Sequence, residues 1–314
     1  MPLLMFISIT QMVLPVLASI FIGWLFKKKG VLGEDGVDSI KKVITYVTLP
    51  VVLFRAFLTA EYNMNVFVVF CIIFVCCTIA LVAGYLLRPL AGKYSKFMPF
   101  LLTGFEAGML GYALFALLVG TEGLSTMAMV DIGQTIFVYT VYLALLKASD
   151  GKKASAKELL VNMLTAPPFV GVLLGIALGI SGIGGIIISS EAGGILMDLI
   201  DFLAAPTACL ILISMGYQLS FKKSLIKPVL ITAFVRLALM AVLFASASLV
   251  LFRFVPESRE LRLAMMVMFS LPAPFIIPLF ADLGEDGEYV STTYSVGTLL
   301  TICCFVGIAA YSMA

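Results

Sequence analysis

The sequence predicts an all-α integral membrane protein, and three observations support this fold class. Hydrophobic residues make up 62% of the chain and charged residues 12%, whereas a soluble domain contains about 25% charged residues. Apolar runs of roughly twenty residues, long enough to cross a bilayer as a helix, recur along nearly the whole chain. Two of these runs are interrupted near their middle, at matching places in the two halves. Any work on a substrate is therefore expected inside the membrane or at its faces.

We expect ten membrane spans. The first is expected to be retained, because it lacks the basic start and the small-residue cleavage site of a signal peptide. The second begins as an amphipathic segment, with Lys41 and Lys42 near the membrane surface. The expected ranges are 4–26, 39–59, 65–88, 97–119, 124–147, 160–181, 193–219, 226–254, 260–283 and 288–312.

Lysine and arginine predict the orientation, because short cytoplasmic loops contain an excess of both. The loops after spans 1, 3, 5 and 7 are basic, and those after spans 2, 4 and 6 contain neither residue. The loop after span 8 has mixed charge. The loop after span 9 is acidic, which counts little in this rule. We therefore expect a multi-pass protein of the inner (plasma) membrane, with the basic loops in the cytoplasm and both termini outside.

Matching segments in the same order indicate an internal repeat. A proline precedes a glycine by eight residues in span 1 and again in span 6. Spans 2 and 7 each contain a proline, and the triplet LFA occurs in spans 4 and 9. We expect two five-span units, over residues 1–150 and 151–314. An odd number of spans per unit gives the second unit the opposite orientation, as in many secondary transporters.

The interrupted spans 4 and 9 predict the position of a binding site. An unpaired backbone amide in hydrocarbon costs several kcal/mol, so a broken helix persists only where protein or a water-filled cavity satisfies it. Two such spans in corresponding positions indicate the midplane site of a secondary transporter. The prolines of span 9 also free carbonyls that could coordinate a ligand or ion. The breaking residues are Gly104, Gly108 and Gly111 in span 4, and Pro272, Pro274 and Pro278 in span 9.

Glu106 is the leading candidate for ion or substrate chemistry. An intramembrane charge is costly and is therefore a functional candidate by default. Glu106 lies in the interrupted stretch of span 4, where half-helix ends offer amides to an anion and carbonyls to a cation. A carboxylate there is a candidate proton carrier. The alternative interpretation is a structural ion pair with Arg55 or Arg236.

Asp131 lies one turn before Gln134 and Thr135 in span 5, so the three residues share a helix face. A carboxylate, an amide and a hydroxyl suit a cation or a polar group of a substrate. The alternative is that Asp131 caps a neighbouring half-helix.

Arg55 and Arg236 are the charge-pairing candidates. Arg55 lies near the outer end of span 2, from which its side chain can reach the membrane surface. Arg236 lies inside span 8 and either neutralises a substrate carboxylate or pairs with Asp198 or Asp201, which share one face of span 7.

Hydroxyl groups cluster near the start of span 10, and they either line the crossing or bond neighbouring helices. They belong to Thr292, Thr293, Ser295 and Thr298. The chain contains no histidine and no phosphate-binding loop, and its six cysteines lie in apolar spans. We therefore expect no enzyme activity, no cofactor, no metal site and no nucleic-acid partner.

Segments along nearly the whole chain resemble the auxin efflux carrier family of bacterial and plant transporters. The resemblance rests on an ordered set of segments rather than on any single motif. These are VTLPVVLFRAF in span 2, GFEAGMLGYALFALLVGTEG in span 4, NMLTAPPFVGVLLG at the start of span 6, APTACLILISMGYQL in span 7, and SLPAPFIIPLFADLGEDGEYVSTTYSVGTLLTI from span 9 into span 10.

The resemblance implies a fold and a mechanism. The implied fold has ten helices in two inverted five-helix repeats, with helices 4 and 9 crossing at their breaks, and is related to that of the bile-acid/sodium symporters. Transport helices 3–5 and 8–10 would move like an elevator against scaffold helices 1, 2, 6 and 7, and the scaffold helices would form a homodimer. Family substrates are mostly small organic anions such as dicarboxylates and auxin.

The sequence departs from the family pattern in span 4. The family usually has an asparagine in the broken stretch, followed by a glycine–proline pair. The counterparts here are Glu106 and the pair Gly111-Tyr112. A carboxylate repels an anionic substrate unless it is protonated or paired with a cation.

The sequence therefore predicts a secondary transporter of small carboxylates, coupled to protons or sodium. A cation/proton antiporter using Glu106 and Asp131 is one alternative, and a membrane sensor that binds a solute without moving it is another. The expected binding residues are Glu106, Gly108, Gly111, Tyr112, Asp131, Gln134, Leu271, Pro272, Ala273, Pro274, Ser295 and Thr298.

Overall fold

A computed structural model describes residues 2–60, 62–149 and 156–313, and within these ranges the protein is helical and contains no strand. The α-helices are α1 (Pro2–Lys29), α2 (Glu34–Val43), α3 (Leu49–Leu58), α4 (Met64–Leu87), α5 (Met98–Leu101), α6 (Tyr112–Val119), α7 (Leu124–Phe137), α8 (Leu143–Ser149), α9 (Ala156–Thr165), α10 (Pro167–Ile180), α11 (Ile183–Ser189), α12 (Glu191–Ala204), α13 (Thr207–Gln218), α14 (Ile226–Phe254), α15 (Arg259–Ser270), α16 (Ile277–Phe280) and α17 (Gly287–Ser312). Single π-helical stretches (Ile44–Thr48, Ala107–Gly111 and Val138–Tyr142) and 3₁₀ turns (Arg88–Tyr94, Lys223–Leu225 and Gly284–Asp286) join some of them.

Among the described residues, six helical stretches are long and apolar enough to cross a bilayer, or seven if the bent pair α10–α11 forms one span. They coincide with the predicted spans 1, 3, 5, 7, 8 and 10, and the bent pair coincides with span 6. The stretches are Thr10–Lys29, Met64–Tyr94, Leu124–Ser149, Gly193–Gln218, Lys223–Phe254 and Gly284–Ser312. The protein is therefore a multi-pass membrane protein.

The loop predicted between spans 6 and 7 differs from the structure. It contains the additional short helix α11, set at 86° to α10. Gly182 lies between the two helices with φ 73°, a left-handed conformation that glycine adopts without strain. The start of span 6 also differs, because Pro167 begins the new helix α10 after α9 has ended.

Two helix pairs pack backbone to backbone. α1 packs on α13, and α10 packs on α3. A Cβ atom on Gly23 would lie 1.9 Å from the carbonyl oxygen of Ile213, and one on Gly175 would lie 2.7 Å from that of Phe54. Such close approach through small residues is how membrane helices gain packing energy without a hydrophobic driving force. Each pair joins one helix from the first half of the chain with one from the second half. In terms of the predicted spans, span 1 packs on span 7 and span 6 packs on span 2, so the pairing is reciprocal.

A second group of helices surrounds the two interrupted spans. α4 packs against α5, α7 and α14, and α15 packs against α7, α14 and α17. A Cβ atom on Gly133 of α7 would lie 2.6 Å from the carbonyl oxygen of Phe70 in α4. Large side chains that are almost fully buried fill this group, including Phe97, Phe100, Phe105, Phe115 and Phe137.

The predicted spans 4 and 9 are broken, and their breaks touch. The first break (102–106) follows α5, and the second break (271–276) follows α15. Gly104 has φ 70° in the first break, and Pro272 and Pro274 remove donors from the second. The amide of Glu106 donates to the carbonyl of Pro272 at 2.9 Å. We call the meeting point of the two breaks the crossover.

Candidate functional site

The carboxylate of Glu106 joins the segment after the first break to the second break. One oxygen accepts a hydrogen bond from the amide of Met109 at 3.1 Å, and the other accepts one from the amide of Phe275 at 2.5 Å. The Met109 amide lies in the first turn after the first break, where free N–H groups favour a negative charge, and the Phe275 amide lies near the end of the second break. Glu106 is 7% exposed. It therefore caps the segment that follows the first break and links it to the second break.

The guanidinium of Arg236 lies on the opposite side of the crossover. Its nitrogens donate to the carbonyl oxygens of Leu101 at 3.0 Å, Gly104 at 2.6 Å and Leu271 at 2.9 Å. These carbonyls lie where α5 and α15 end, and the C-terminal ends of helices favour a positive charge. Five donors in a planar fork allow one arginine to satisfy all three carbonyls.

The expectation that Arg236 pairs with Asp198 or Asp201 is wrong. Among the described residues its hydrogen-bond partners are backbone carbonyls rather than carboxylates. Asp201 instead pairs with Arg55, with a nitrogen–oxygen distance of 2.5 Å. The physical reason is that the two breaks leave carbonyls unpaired deep in the protein, where each needs a donor. The interpretation of Glu106 as a partner of Arg55 or Arg236 is also wrong, because Arg55 pairs with Asp201 and Arg236 with carbonyls, whereas Glu106 accepts from backbone amides.

The carbonyls around the prolines of the second break also have partners within the protein. Ser270 O accepts from the Thr301 hydroxyl at 2.6 Å, and Pro274 O accepts from the Tyr294 hydroxyl at 2.5 Å. Both hydroxyls come from α17. Leu271 O is bound by Arg236 and Pro272 O by the amide of Glu106, so each of these carbonyls already accepts a hydrogen bond. Their coordination of a ligand or ion stays a prediction.

Side chains of α7 hold the first break in place. The amide group of Gln134 donates to Phe105 O at 3.1 Å and accepts from Phe105 N at 3.4 Å. It also donates to Asp131 at 3.2 Å, and the Tyr112 hydroxyl donates to the other oxygen of Asp131 at 3.2 Å. Asp131 is 3% exposed. A polar network therefore runs from α7 to the backbone beside Glu106.

A cavity of about 260 Å³ opens beside Glu106. Its polar groups are two carboxylates, one amide and three hydroxyls, and its remaining wall is apolar and aromatic. Among the described residues that line it, none is a lysine or an arginine. The lining residues are Thr45, Leu49, Leu53, Phe105, Glu106, Gly108, Met109, Asp131, Gln134, Thr135, Val138, Tyr139, Ala166, Pro167, Pro168, Phe169, Val172, Pro274, Phe275, Ile276 and Phe280.

Of the expected binding residues, the cavity brings together Glu106, Gly108, Asp131, Gln134 and Pro274. The others lie elsewhere. Leu271, Pro272 and Ala273 border a separate small cavity of about 30 Å³ beside Arg236. Gly111 faces the side chain of Leu271, since a Cβ atom there would lie 2.8 Å from Leu271 Cδ1. Tyr112 reaches the site only through Asp131. Ser295 accepts a hydrogen bond from Ser220 N at 3.0 Å, and Thr298 is buried in α17.

The cavity also contains residues that the sequence analysis missed. Tyr139 lies one turn beyond Thr135, so the helix face already identified could have been extended to include it. Thr45, Leu49 and Leu53 come from the predicted span 2, and residues 166–169 come from the start of α10. No sequence signal indicated that these two segments face the crossover.

The chain is similar to one protein family model and to two transporters of archaea. Residues 8–308 match the family model described as "Membrane transport protein". An uncharacterized transporter of Methanothermobacter thermautotrophicus is 25% identical over 310 residues, covering 95% of this chain and 97% of that protein. An uncharacterized transporter of Methanocaldococcus jannaschii is 27% identical over 222 residues, covering 68% of this chain and 69% of that protein.

Proposed function

Because the chain belongs to the membrane transport protein family of the auxin efflux carrier type, we propose that it is a secondary active transporter whose solute binds in the cavity beside Glu106. The observation that supports this most strongly is the position of the cavity at the crossover, bordered by two buried carboxylates. Pockets with apolar walls and a few convergent polar groups are typical small-molecule sites. Broken helices that meet in this way are typical of secondary transporters.

The proposed architecture has ten spans in two inverted five-span units, over residues 1–150 and 151–314. The reciprocal packing of α1 on α13 and of α10 on α3 supports this arrangement, because an internal two-fold relation exchanges these two pairs. Spans 1, 2, 6 and 7 would form the scaffold, which also mediates a homodimer. Spans 3–5 and 8–10 would form the moving domain. We place the protein in the inner (plasma) membrane with both termini outside.

The composition of the cavity wall supports an elevator-like motion. One side of the wall comes from the proposed scaffold, through Leu49, Leu53 and residues 166–169. The other side comes from the proposed moving domain, through both breaks and α7. A solute bound between the two domains would become accessible from the other side of the membrane when one domain slides against the other.

The proposed solute is a small organic anion that enters together with a proton or another cation. The family resemblance implies the anion, and the carboxylates of Glu106 and Asp131 in the cavity wall support a cation alongside it, because they would repel an anion bound alone. A proton on Glu106 would remove one of these negative charges, and like charges in a buried site repel strongly.

A cation/proton antiporter is the second candidate function. It is favoured by the presence of two carboxylates in the cavity wall and, among its described lining residues, the absence of any basic side chain. Antiport would need no organic ligand.

The test is thermal melting of the purified protein with dicarboxylates, aromatic carboxylates and monovalent cations at pH 5.5 and 8. A ligand that binds the folded state raises the melting temperature. We expect a carboxylate to stabilise the wild type at low pH and Glu106→Gln at both pH values. Glu122→Gln, at an exposed loop position, is the control and should behave like the wild type. Stabilisation by cations alone, lost in Glu106→Gln, would replace this proposal with the antiporter.

A further inference from the structure

We infer that Arg236 is a built-in cation that permanently occupies the carbonyl cage of the crossover, so that transport is driven by protons and needs no sodium. This inference rests on the proposed transport function and specifies its coupling ion. The inference rests on one difference: the carbonyls of broken helices usually coordinate a metal cation, whereas at this crossover they bind an arginine side chain. In such transporters, unwound backbone carbonyls and half-helix ends coordinate the coupling cation.

The cage is formed by three carbonyl oxygens from two separate spans. Leu101 O and Gly104 O belong to the first break, and Leu271 O belongs to the second. They converge on the single guanidinium of Arg236, which is 8% exposed. A sodium ion at this place would have to displace the guanidinium, whose positive charge would otherwise repel it.

Among the described residues, four neighbouring carbonyl oxygens already accept a hydrogen bond, so a sodium ion would have to share or displace these donors. Pro272 O is bonded by the amide of Glu106, Pro274 O by Tyr294, Ser270 O by Thr301 and Phe105 O by Gln134. In the described part of the crossover, the anionic oxygens that remain are those of Glu106 and Asp131. Each carboxylate already accepts hydrogen bonds on both oxygens. A proton can still add to such a group, whereas a sodium ion needs several oxygens arranged around it.

The formal charges at the crossover predict that protonation of Glu106 favours binding of an anionic solute. With both carboxylates ionised, Arg236, Glu106 and Asp131 together leave one negative charge at the crossover, which disfavours an anionic solute. Protonation of Glu106 brings the sum to zero. The buried Lys147 of α8, whose Nζ lies 5.7 Å from the ring of Phe280 in the cavity wall, is a further charge near this group but does not line the cavity. Among the described residues, the titratable groups other than Asp131 that face Glu106 are tyrosines, which are neutral at physiological pH. They are Tyr139 and Tyr142 after α7, and Tyr294 on α17. The lining residues from α3 and α10 contribute no titratable group.

The first arm of the test uses the wild-type protein. Its melting temperature is measured at pH 7 in sodium chloride, lithium chloride and choline chloride at equal ionic strength. We expect the same melting temperature in all three salts. A higher melting temperature in sodium or lithium than in choline would overturn the inference, because it would reveal a metal-cation site.

The second arm uses Arg236→Ala, which empties the cage, with Arg253→Ala as the matched control. Arg253 lies on the same helix but is exposed. We expect methylguanidinium chloride at millimolar concentration to raise the melting temperature of Arg236→Ala, with no effect on the wild type or on Arg253→Ala. The absence of this rescue would contradict a cation cage. If Arg236→Ala does not fold, the wild-type arm decides alone.

Neither arm needs a solute, so the inference and the proposed function can fail separately. Rescue by methylguanidinium without uptake of any solute would refute transport but leave the cation cage intact. Solute uptake that requires sodium would support transport and refute the coupling inferred here.

Discussion

The two sides of the crossover each bind helix ends through one buried charge, Glu106 on one side and Arg236 on the other, but they differ in the space around that charge. Glu106 faces a cavity of about 260 Å³, whereas Arg236 faces one of about 30 Å³. Both charges compensate ends of broken helices, the carboxylate at N–H groups and the guanidinium at carbonyls. Under the proposed function, Arg236 would hold the crossover together and Glu106 would take up and release a proton.

The largest expected effect on stability is that of Arg236→Met. Methionine has a similar length but no donor, so the carbonyls of Leu101, Gly104 and Leu271 lose their partners. Each buried group left unpaired costs about 1–3 kcal/mol. We expect a large fall in melting temperature in detergent. Glu106→Gln retains an oxygen acceptor and should lose much less. Equal losses in the two variants would remove the distinction between the two sides.

Gly104→Ala should give the next largest effect, because it disturbs the first break directly. The φ of 70° places an alanine in the left-handed region, at a cost of about 1–2 kcal/mol. Its Cβ atom would also lie 2.8 Å from Pro274 Cγ. Gly194→Ala in α12 is the control, since no atom lies within 4 Å of the added Cβ. Thermal melting should show a clear loss for the first variant and none for the second.

Much of this comparison could be predicted from the sequence. The broken spans, Glu106 and the face containing Asp131 and Gln134 follow from glycines, prolines and charges placed inside apolar runs. The family resemblance is confirmed by the match over residues 8–308. The partners of Arg236 could not be predicted, because they depend on which face of α14 meets the crossover. The contribution of α10 to the cavity likewise depends on packing between distant parts of the chain.

Tyr294→Phe should give an intermediate effect, because it removes the donor to Pro274 O without changing the shape of the side chain. A loss of about 1–3 kcal/mol is expected for an unpaired buried carbonyl. Tyr311→Phe, on the same helix but exposed, should be neutral in the same melting assay. If both variants melt like the wild type, the second break does not depend on the Tyr294 hydroxyl.

The smallest effect is expected for Arg55→Gln. The ion pair with Asp201 lies away from the crossover, and the side chain of Asp201 is 45% exposed. Partly exposed pairs contribute about 0–1 kcal/mol and are weakened by salt. Melting at low and high salt should show a small loss that shrinks as salt is added. A loss as large as that of Arg236→Met would contradict a peripheral role for this pair.

The most direct test of proton coupling through Glu106 uses proteoliposomes that contain a trapped pH-sensitive dye. The external solute is the carboxylate that most raises the melting temperature, and the buffer contains choline instead of sodium. For the wild type we predict solute uptake together with internal acidification. For Glu106→Gln we predict binding or exchange of the solute without acidification. Wild-type uptake without acidification, or acidification that persists in Glu106→Gln, would contradict the assignment of Glu106 as the proton carrier.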